Sequence, residues 1–295
     1  MNLPILVIVS PCYNEEELAQ NSCEILLNLL NKLVDDKIIS EQSYISVVDD
    51  GSTDKSWEIL NKLANKDKRI KLIKFVHNFG HQNAILAGMT ENNADIYITL
   101  DFDLQDDINI IPEMIEKYKN CNIDIVYGVR NNREVDSFMK KFFAKLYYML
   151  CKMIGLKQIY ECADFRLVTN NVVKVLRNTH KNNIYLRGLL PSLELSYEKV
   201  YYKRKERLAG IPKYTFLKSF ELAMNGLLSS NKAFRLINIP AAIFLIISIF
   251  IWNKILFGIS IILFAIALLG EYATKRAMEA KPVTHYIISE KINYE

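Results

Sequence analysis

The chain has 295 residues and a formal net charge of +4, with 51% hydrophobic and 24% charged residues. Such a length suits one large domain or a domain with an appendage, and the composition is ordinary for a globular protein. A net charge this small does not indicate nucleic-acid binding. Five cysteines without a CxxC pair or a metal-ligand spacing favour a reducing compartment.

The first 130 residues alternate between short apolar runs and helical patterns of leucine and isoleucine. We predict strands at 5–9, 44–48, 70–76, 96–100 and 123–127. We predict that helices at 14–33, 54–66, 81–92 and 108–119 connect these strands. Strands and helices that alternate at this spacing predict an α/β domain with a mostly parallel sheet.

A polar cluster follows each predicted strand at the point where the strand ends. The clusters are 11–15, 49–53, 77–81, 101–106 and 128–133. Ligands of parallel α/β sheets bind outside the carboxyl ends of the strands. The sequence therefore predicts one binding site at that edge of the sheet.

Asp101 and Asp103 stand two residues apart, directly after the predicted strand 96–100. In an extended strand end their side chains would point the same way, because side chains repeat every two residues. Two carboxylates on one side form half of a Mg²⁺ or Mn²⁺ site, which water and phosphate oxygens usually complete. Such a metal would hold a nucleoside diphosphate. The alternative is a solvated acidic loop in which Asp106 or Asp107 caps the next helix.

Two apolar runs of 16 residues, 237–252 and 255–270, are separated by two polar residues. As a helix, each run would rise about 24 Å, which is short of the roughly 30 Å core of a bilayer. We predict a transmembrane hairpin over 236–270 and an interfacial amphipathic helix at 215–235. Basic residues on both flanks predict that both ends of the hairpin are cytoplasmic. A shallow re-entrant hairpin and a buried hairpin in a soluble oligomer are alternatives.

Short motifs along nearly the whole chain resemble glycosyltransferase family 2 and, within it, the polyprenyl-phosphate glycosyltransferases. That group includes bactoprenol glucosyl transferases and dolichyl-phosphate mannose synthases. The matching segments are PCYNEE at 11–16, VDDGSTD at 48–54, NFG at 78–80, DFDLQD at 101–106, YGVR at 127–130, ADFRL at 163–167, RG at 187–188, RLAG at 207–210, KY at 213–214 and GEY at 270–272. Each motif alone is weak, but their order makes the resemblance specific.

The resemblance implies a GT-A fold, which is a Rossmann-like nucleotide-sugar domain, over residues 1–214, with 271–295 as a cytoplasmic tail. The implied catalytic residues are Asp101, Asp103, Asp164 and Arg166. The implied ligands of Mg²⁺ or Mn²⁺ are Asp101, Asp103 and Gln105. The implied nucleotide-sugar-binding residues are Pro11, Tyr13, Asn14, Glu15, Asp49, Asp50, Asp101, Phe102, Arg204, Arg207 and Lys213. The implied contacts of the acceptor phosphate are Arg130, Lys140 and Lys141.

The implied activity is inverting transfer of a hexose from a UDP- or GDP-linked donor, with UDP-glucose favoured, to undecaprenyl phosphate. The resemblance places the reaction at the cytoplasmic face of the inner membrane, in a multi-pass protein that can form a homotetramer. The product would serve envelope glycan modification. An acceptor phosphate is already an anionic nucleophile, so the chemistry does not demand a base. Asp164 is therefore either a base or a residue that positions the sugar hydroxyls or Arg166.

Three other functions remain alternatives. A family 2 enzyme that extends a polysaccharide or glycolipid would use a sugar hydroxyl as acceptor and would need a base. A catalytically silent membrane scaffold could keep the fold, although it would have no need of Asp101, Arg130 and Arg207. A nucleotidyltransferase would usually show a glycine-rich phosphate loop after its first strand, and residues 11–14 are not such a loop.

Overall fold

The structure is a computed structural model that describes residues 3–131, 149, 151–152, 159, 162–178, 185–204, 235–250, 254–279 and 285–294. Four predicted site residues lie outside the described residues, and these are Lys140, Lys141, Arg207 and Lys213. Residues 215–234 of the predicted interfacial helix also lie outside them.

The described elements begin with the alternation that the sequence predicts. The strands are β1 Leu6–Cys12, β2 Tyr44–Asp49, β3 Ile70–Phe75, β4 Ile96–Thr99, β5 Ile125–Arg130, β6 Cys162–Thr169, β7 Tyr197–Tyr202 and β8 Ile288–Ile292. The helices are α1 Ala19–Asp35, α2 Ser56–Lys66, α3 His81–Thr90, α4 Ile111–Cys121, α5 Asn170–Arg177, α6 Leu186–Ser192, α7 Arg235–Phe250 and α8 Lys254–Glu279. A 3₁₀ turn at Ile108–Ile110 precedes α4.

The strands form one eight-stranded sheet in the order β7-β5-β6-β4-β1-β2-β3-β8. The four central strands β4, β1, β2 and β3 run parallel to one another. Strand β6 runs antiparallel to β4 and β5, and β8 runs antiparallel to β3. The predicted α/β domain with a mostly parallel sheet is therefore confirmed.

The sheet is buried on both faces, and β1 illustrates the reason. Leu6 and Ile8 pack into the core cluster that includes α1, α2 and α4. Val7 and Val9 pack into the cluster on the opposite face, which includes α3, α5 and α6. A strand that is covered on both faces has apolar residues at consecutive positions. This pattern is the reason why β1 could be predicted from the sequence.

Strand β6 carries the ADFR motif through the centre of the sheet, where no strand was predicted. Ala163, Phe165 and Leu167 face one core cluster, whereas Asp164 and Arg166 alternate with them and are buried as well. Because every second residue faces the same side of a strand, the two charged residues share one face. Charges at buried positions hide the apolar pattern by which strands are recognised.

Helices α7 and α8 pack against each other, and both are rich in isoleucine and leucine. In the described part of the chain, no helix is both long enough and apolar enough to span a membrane. The predicted transmembrane hairpin over 236–270 therefore has no support from the described helices. Helix α8 also continues beyond the predicted apolar run, to Glu279.

The last described residues return to the sheet. Strand β8 pairs antiparallel with β3, with Ile73 opposite Lys291 and Lys74 opposite Glu290. The sequence prediction treated 271–295 only as a tail and did not include this strand. A short strand of mixed polarity at a sheet edge gives little periodicity to detect.

Gly88 lets helix α3 lie close against the sheet. An added Cβ there would lie 2.2 Å from Cγ1 of Val9 and 3.2 Å from Cγ2 of Val48. We expect Gly88→Ala to lower the free energy of unfolding by about 1–3 kcal/mol, because stiff β-branched neighbours in a packed core would have to move. Urea denaturation of the purified full-length protein in detergent measures the change. Gly258→Ala is the matched control, since no other atom of the described residues lies within 4 Å of its added Cβ.

Candidate active site

Backbone contacts bring the ends of the central strands together. The Asp50 amide donates to the Cys12 carbonyl over 2.9 Å, and the Leu100 amide donates to the Val9 carbonyl over 3.1 Å. The Ser10 hydroxyl also donates to the Leu100 carbonyl over 3.1 Å. The loops after β1, β2 and β4 therefore lie side by side at the carboxyl edge, as the polar clusters predicted.

Asp164 is the most densely contacted carboxylate in the described structure, and it is almost fully buried. Arg187 donates to both of its oxygens, over 2.8 Å from Nη2 and 3.2 Å from Nε. Gln82 Nε2 donates over 3.1 Å, and His81 Nε2 lies 3.3 Å from Oδ2. The Arg166 guanidinium donates to Oδ1. One carboxylate on β6 thus joins α3 and α6 to the sheet.

These contacts make Asp164 a weak base. Burial alone would raise the pKa of its carboxyl group, but Arg187, His81 and Arg166 hold the pKa well below its ordinary value. The pKa of Arg187 is raised because it faces this carboxylate. Asp164 therefore stays ionised with its oxygens occupied by donors, which suits a residue that holds other groups in place.

Asp101 lies beside this cluster, and its Oδ1 atom faces the His81 ring. Its Oδ1 is 3.4 Å from His81 Nε2, and it is a buried atom without a hydrogen-bond partner among the described residues. Burial raises the pKa of this carboxyl group. The sequence prediction placed Asp101 here but did not include His81 among the site residues.

His81, Asp101 and Asp164 form the one group of three side chains in the described residues that could hold a metal ion. Their ligand atoms lie within 4.8 Å of one another. Asp164 is a poor ligand, because two guanidinium groups already occupy its oxygens. Asp101 fits a hard divalent cation, which prefers oxygen ligands and accepts phosphate oxygens and water for the rest. The donor set therefore suits Mg²⁺ or Mn²⁺ bound mainly through Asp101 and an anionic ligand.

The acidic motif after β4 forms a turn and not an extended strand end. Leu104 has a φ of 49°, and its amide donates to the Asp101 carbonyl over 3.2 Å. Asp103 accepts from the Gln105 amide over 3.3 Å. The strand-based reason for pairing Asp101 with Asp103 is therefore wrong, because β4 ends at Thr99. Metal ligation by Asp103 and Gln105 stays a prediction.

Two further residues of this acidic segment have structural roles, one in the hydrophobic core and one as a cap. Phe102, predicted to bind the donor, is buried and packs into the core cluster beside α1. Asp107 accepts from the Asn109 amide and caps the 3₁₀ turn. Of the two residues predicted as a possible helix cap, Asp107 is the one that caps. Asp106 instead contacts Arg130 and Tyr202.

The loops after β1 and β2 interlock, in the sense that hydrogen bonds run between them in both directions. The Asn14 amide donates to Ser52 Oγ over 2.9 Å, and Asn14 Oδ1 accepts from the Thr53 amide over 2.8 Å. The Glu15 amide donates to a serine hydroxyl at the start of α2. Tyr13 is exposed at the mouth of these loops, whereas Pro11 lies within β1. The structure thus brings the predicted donor-binding residues of the first loop against the second.

Asp50 ties the loop after β2 to the loop after β3. Its carboxylate accepts from the Phe79 amide over 2.7 Å and from the Gly80 amide over 3.0 Å. Burial raises the pKa of Asp50 to about 6. Gly51 has a φ of 70°, and an added Cβ would lie 2.5 Å from the His77 carbonyl carbon. Only glycine fits this approach.

Asp49, also predicted to bind the donor, lies at the end of β2 and is fully buried. Its Oδ1 accepts from the Ser52 amide over 3.3 Å, and its Oδ2 has no hydrogen-bond partner in the described part of the chain. A buried carboxylate oxygen of this kind can accept from a ligand donor.

A second ion cluster lies on the β5 side of the site. Arg130 donates to Asp106 over 3.0 Å from Nη2 and 3.2 Å from Nε. The Tyr202 hydroxyl donates to Asp106 over 2.7 Å, and Arg204 Nε lies 4.0 Å from the same oxygen. Arg130 and Arg204, predicted for acceptor and donor phosphates, therefore converge on one buried carboxylate.

Several residues of the site were not among the predicted site residues. They are His81, Gln82, Asp106, Arg187 and Tyr202. Two of them lie in motifs that the sequence showed, Arg187 in RG at 187–188 and Asp106 in DFDLQD at 101–106. No spacing rule links the others to their partners, because each partner comes from a distant part of the chain.

Residues 7–180 match the protein-family model described as glycosyl transferase family 2. The chain is 40% identical to the uncharacterized glycosyltransferase YkoT of Bacillus subtilis (strain 168), over 78% of this chain and 68% of that protein. It is 29% identical to the bactoprenol glucosyl transferase of Shigella phage SfX, over 96% of this chain and 98% of that protein.

A solved structure of similar fold is glucosyl-3-phosphoglycerate synthase from Mycobacterium tuberculosis, in complex with Mn²⁺, UDP-glucose and phosphoglyceric acid. The TM-score is 0.53 at 15% identity, and the likeness covers 77% of this chain and 78% of that one. A likeness at this identity shows the fold alone. The expected GT-A fold is thereby confirmed.

Asp164→Ala would leave the buried Arg166 guanidinium without its counter-charge. We expect the free energy of unfolding to fall by about 3–5 kcal/mol, as for other broken buried ion pairs. Asp67→Ala is the matched control, because its ion pair with Arg69 is partly exposed to solvent and such pairs contribute about 1 kcal/mol or less. Urea denaturation compares the two variants, and equal losses would contradict the anchoring role of Asp164.

Proposed function

The chain belongs to glycosyl transferase family 2, and we propose that it transfers a hexose from a nucleoside diphosphate sugar to a polyprenyl phosphate. The observation that carries the proposal is the buried Asp101 Oδ1, which has no hydrogen bond among the described residues and lies 3.4 Å from the His81 ring, near the Arg187 guanidinium that pairs with Asp164. An oxygen ligand next to positive charge suits the diphosphate of a nucleotide sugar and its metal ion.

We propose UDP-glucose as the donor, with GDP-linked sugars as the competing class. The interlocked loops at Asn14 and Asp50 support a nucleotide site, because their hydrogen bonds hold the loops after β1, β2 and β3 together at the carboxyl edge of the sheet, where ligands of such sheets bind. The buried Oδ2 of Asp49, which has no hydrogen bond within the described residues, adds one more acceptor. The relative named bactoprenol glucosyl transferase supports glucose as the sugar.

Asp101 would hold the divalent cation. When bound, Mg²⁺ or Mn²⁺ neutralises the charge that grows on the leaving diphosphate. In the proposal Asp103 and Gln105 lie in the same turn and complete this side of the site. Arg204, which lies 4.0 Å from Asp106, would contact the donor phosphates, since a guanidinium fork matches phosphate oxygens.

Asp164 acts in the proposal as a positioning residue. Its low pKa and its contacts with Arg166 and Arg187 make it a weak proton acceptor. A phosphate acceptor suits such a site, because it attacks the anomeric carbon as an anion and gives up no proton. A sugar hydroxyl would need a base, so these contacts favour the phosphate acceptor over the hydroxyl acceptor.

We propose that the polyprenyl phosphate binds near Arg130 and that the protein works at the cytoplasmic face of the membrane. Two features support this placement. Relatives named for bactoprenol match almost the whole chain. Many large apolar side chains of α7 and α8 are exposed, which is typical of a surface that contacts lipid or another protein. They include Ile243, Ile246, Ile247, Ile255, Ile262, Ile266 and Leu269.

A transfer assay tests the proposal. Purified full-length protein in detergent is incubated with undecaprenyl phosphate, MgCl₂ or MnCl₂, and a panel of radiolabelled UDP- and GDP-sugars. We expect a labelled lipid that is lost with EDTA. Asp101→Asn should lower the rate at least about 100-fold, because it removes charge stabilisation in the transition state.

Asp107→Asn is the control for the loss of one carboxylate next to this motif, since Asp107 accepts from the Asn109 amide in the cap of the 3₁₀ turn. We expect its substitution to leave the rate near that of wild type. Wild-type turnover by Asp101→Asn would contradict the metal site. If no donor gave a lipid product and sugar was instead transferred to a glycan hydroxyl, the proposal that the acceptor is a polyprenyl phosphate would be wrong.

A further inference from the structure

The segment 285–294 fastens the C-terminal end of the described chain to the sheet. Its strand β8 extends the sheet beyond β3, and the Val76 amide donates to the Ile287 carbonyl over 3.1 Å. Asn293 Nδ2 donates to the carbonyls of Ala64 and Ile70, each over 2.8 Å. These contacts fix the segment against the core, so its side chains can hold neighbouring groups in place.

Tyr286 begins a stack of aromatic rings that leads to the donor loops. Its ring lies parallel to that of Phe75, with centroids 5.2 Å apart and planes at 9°. Phe75 meets Phe79 edge to face at 5.6 Å. Phe79 in turn stacks on His77 at 4.0 Å. Phe75 is buried, and Tyr286 and Phe79 pack against the same buried cluster. A displaced Tyr286 ring would therefore shift Phe75 and, through it, Phe79.

The stack ends where the loop meets Asp50. The amides of Phe79 and Gly80 both donate to this carboxylate, which follows β2 in the proposed nucleotide site. A shift of the Phe79 ring would therefore disturb two hydrogen bonds that shape the loop at 77–80.

Tyr286 also secures helix α3 at the end away from the site. Its hydroxyl lies 2.9 Å from Thr90 Oγ1 and donates to Glu91 over 2.8 Å. Lys291 forms a 2.7 Å ion pair with the same Glu91. The opposite end of α3 begins with His81, which contacts Asp101 and Asp164. The ring and the hydroxyl of Tyr286 thus support both the loop that precedes α3 and the helix itself.

We propose that Tyr286 is a positioning residue for the donor site, acting through Phe75 and Phe79 on the loop at 77–80. This inference rests on the proposed function, because it assumes that the loop borders a bound nucleotide. The C-terminal strand would then be part of the working catalytic unit, although it lies more than 200 residues away in sequence from the loop that it supports.

The experiment compares Tyr286→Leu, Tyr286→Phe and Tyr294→Leu in the full-length protein in detergent. Tyr286→Phe keeps the ring stack. Tyr294→Leu is the matched control, because Tyr294 lies in the same segment and packs against the same buried cluster as Phe79. Its hydroxyl contacts Ser46 of β2, and among the described residues its ring stacks on neither Phe75 nor Phe79. Binding of UDP and of GDP, each with MnCl₂, is measured by calorimetry. Hydrogen exchange is measured by mass spectrometry on peptides that cover 77–84, without nucleotide.

We expect Tyr286→Leu to raise the dissociation constant of the nucleotide by about 3- to 10-fold, as for the loss of an aromatic pair. It should also speed exchange in the 77–84 peptides and raise KM for the donor more than it lowers kcat. Tyr286→Phe should stay within about twofold of wild type in affinity, since its ring contacts remain. Tyr294→Leu should change neither the affinity nor the exchange of these peptides.

The inference is overturned when Tyr286→Leu matches wild type in either exchange or nucleotide affinity, or when Tyr294→Leu causes the same changes. The exchange measurement contains no nucleotide, so it decides the link between Tyr286 and the loop separately. The proposed function fails on different grounds, when wild-type protein binds neither nucleotide and transfers no sugar to lipid.

Discussion

The rest of the site depends on the ion pairs and hydrogen bonds that neutralise the buried carboxylate of Asp164. A charge in the interior of a protein is tolerated only where opposite charges and hydrogen bonds replace water. Arg166, Arg187, His81 and Gln82 provide this replacement here. Because they come from β6, α6 and α3, the need to neutralise one carboxylate fixes three elements relative to the sheet. The same arrangement places His81 beside Asp101.

Three carboxylates of the site have different surroundings, and the differences suggest a division of roles. Asp164 is saturated by donors and its pKa is lowered, so it holds structure. Asp50 binds two backbone amides and its pKa is raised by burial, so it shapes a loop. Asp101 alone of these three has a buried oxygen without a hydrogen bond in the described residues. In the proposed function, Asp101 would therefore hold the cation that binds the diphosphate.

Helix α3 connects the two halves of the site. Its first residues reach Asp101 and Asp164, and the loop before it is held by Asp50. Gly88 allows the middle of the helix to lie close to β1 and β2. Tyr286 and Lys291 hold its far end through Glu91. A helix fixed at both ends and in the middle would keep the proposed nucleotide and metal sites at a constant separation.

The sequence by itself determined the five strands from β1 to β5, the parallel α/β class and the edge where polar loops meet, because apolar periodicity and strand ends are local signals. Only the tertiary structure decided that the ADFR motif is a central strand, that Asp101 sits in a turn, and that β8 closes the sheet. It also decided the partners of Asp164, which lie 23 residues away at Arg187 and 82 at Gln82. Charge pairing over such distances follows from how the chain packs, and no local pattern records it.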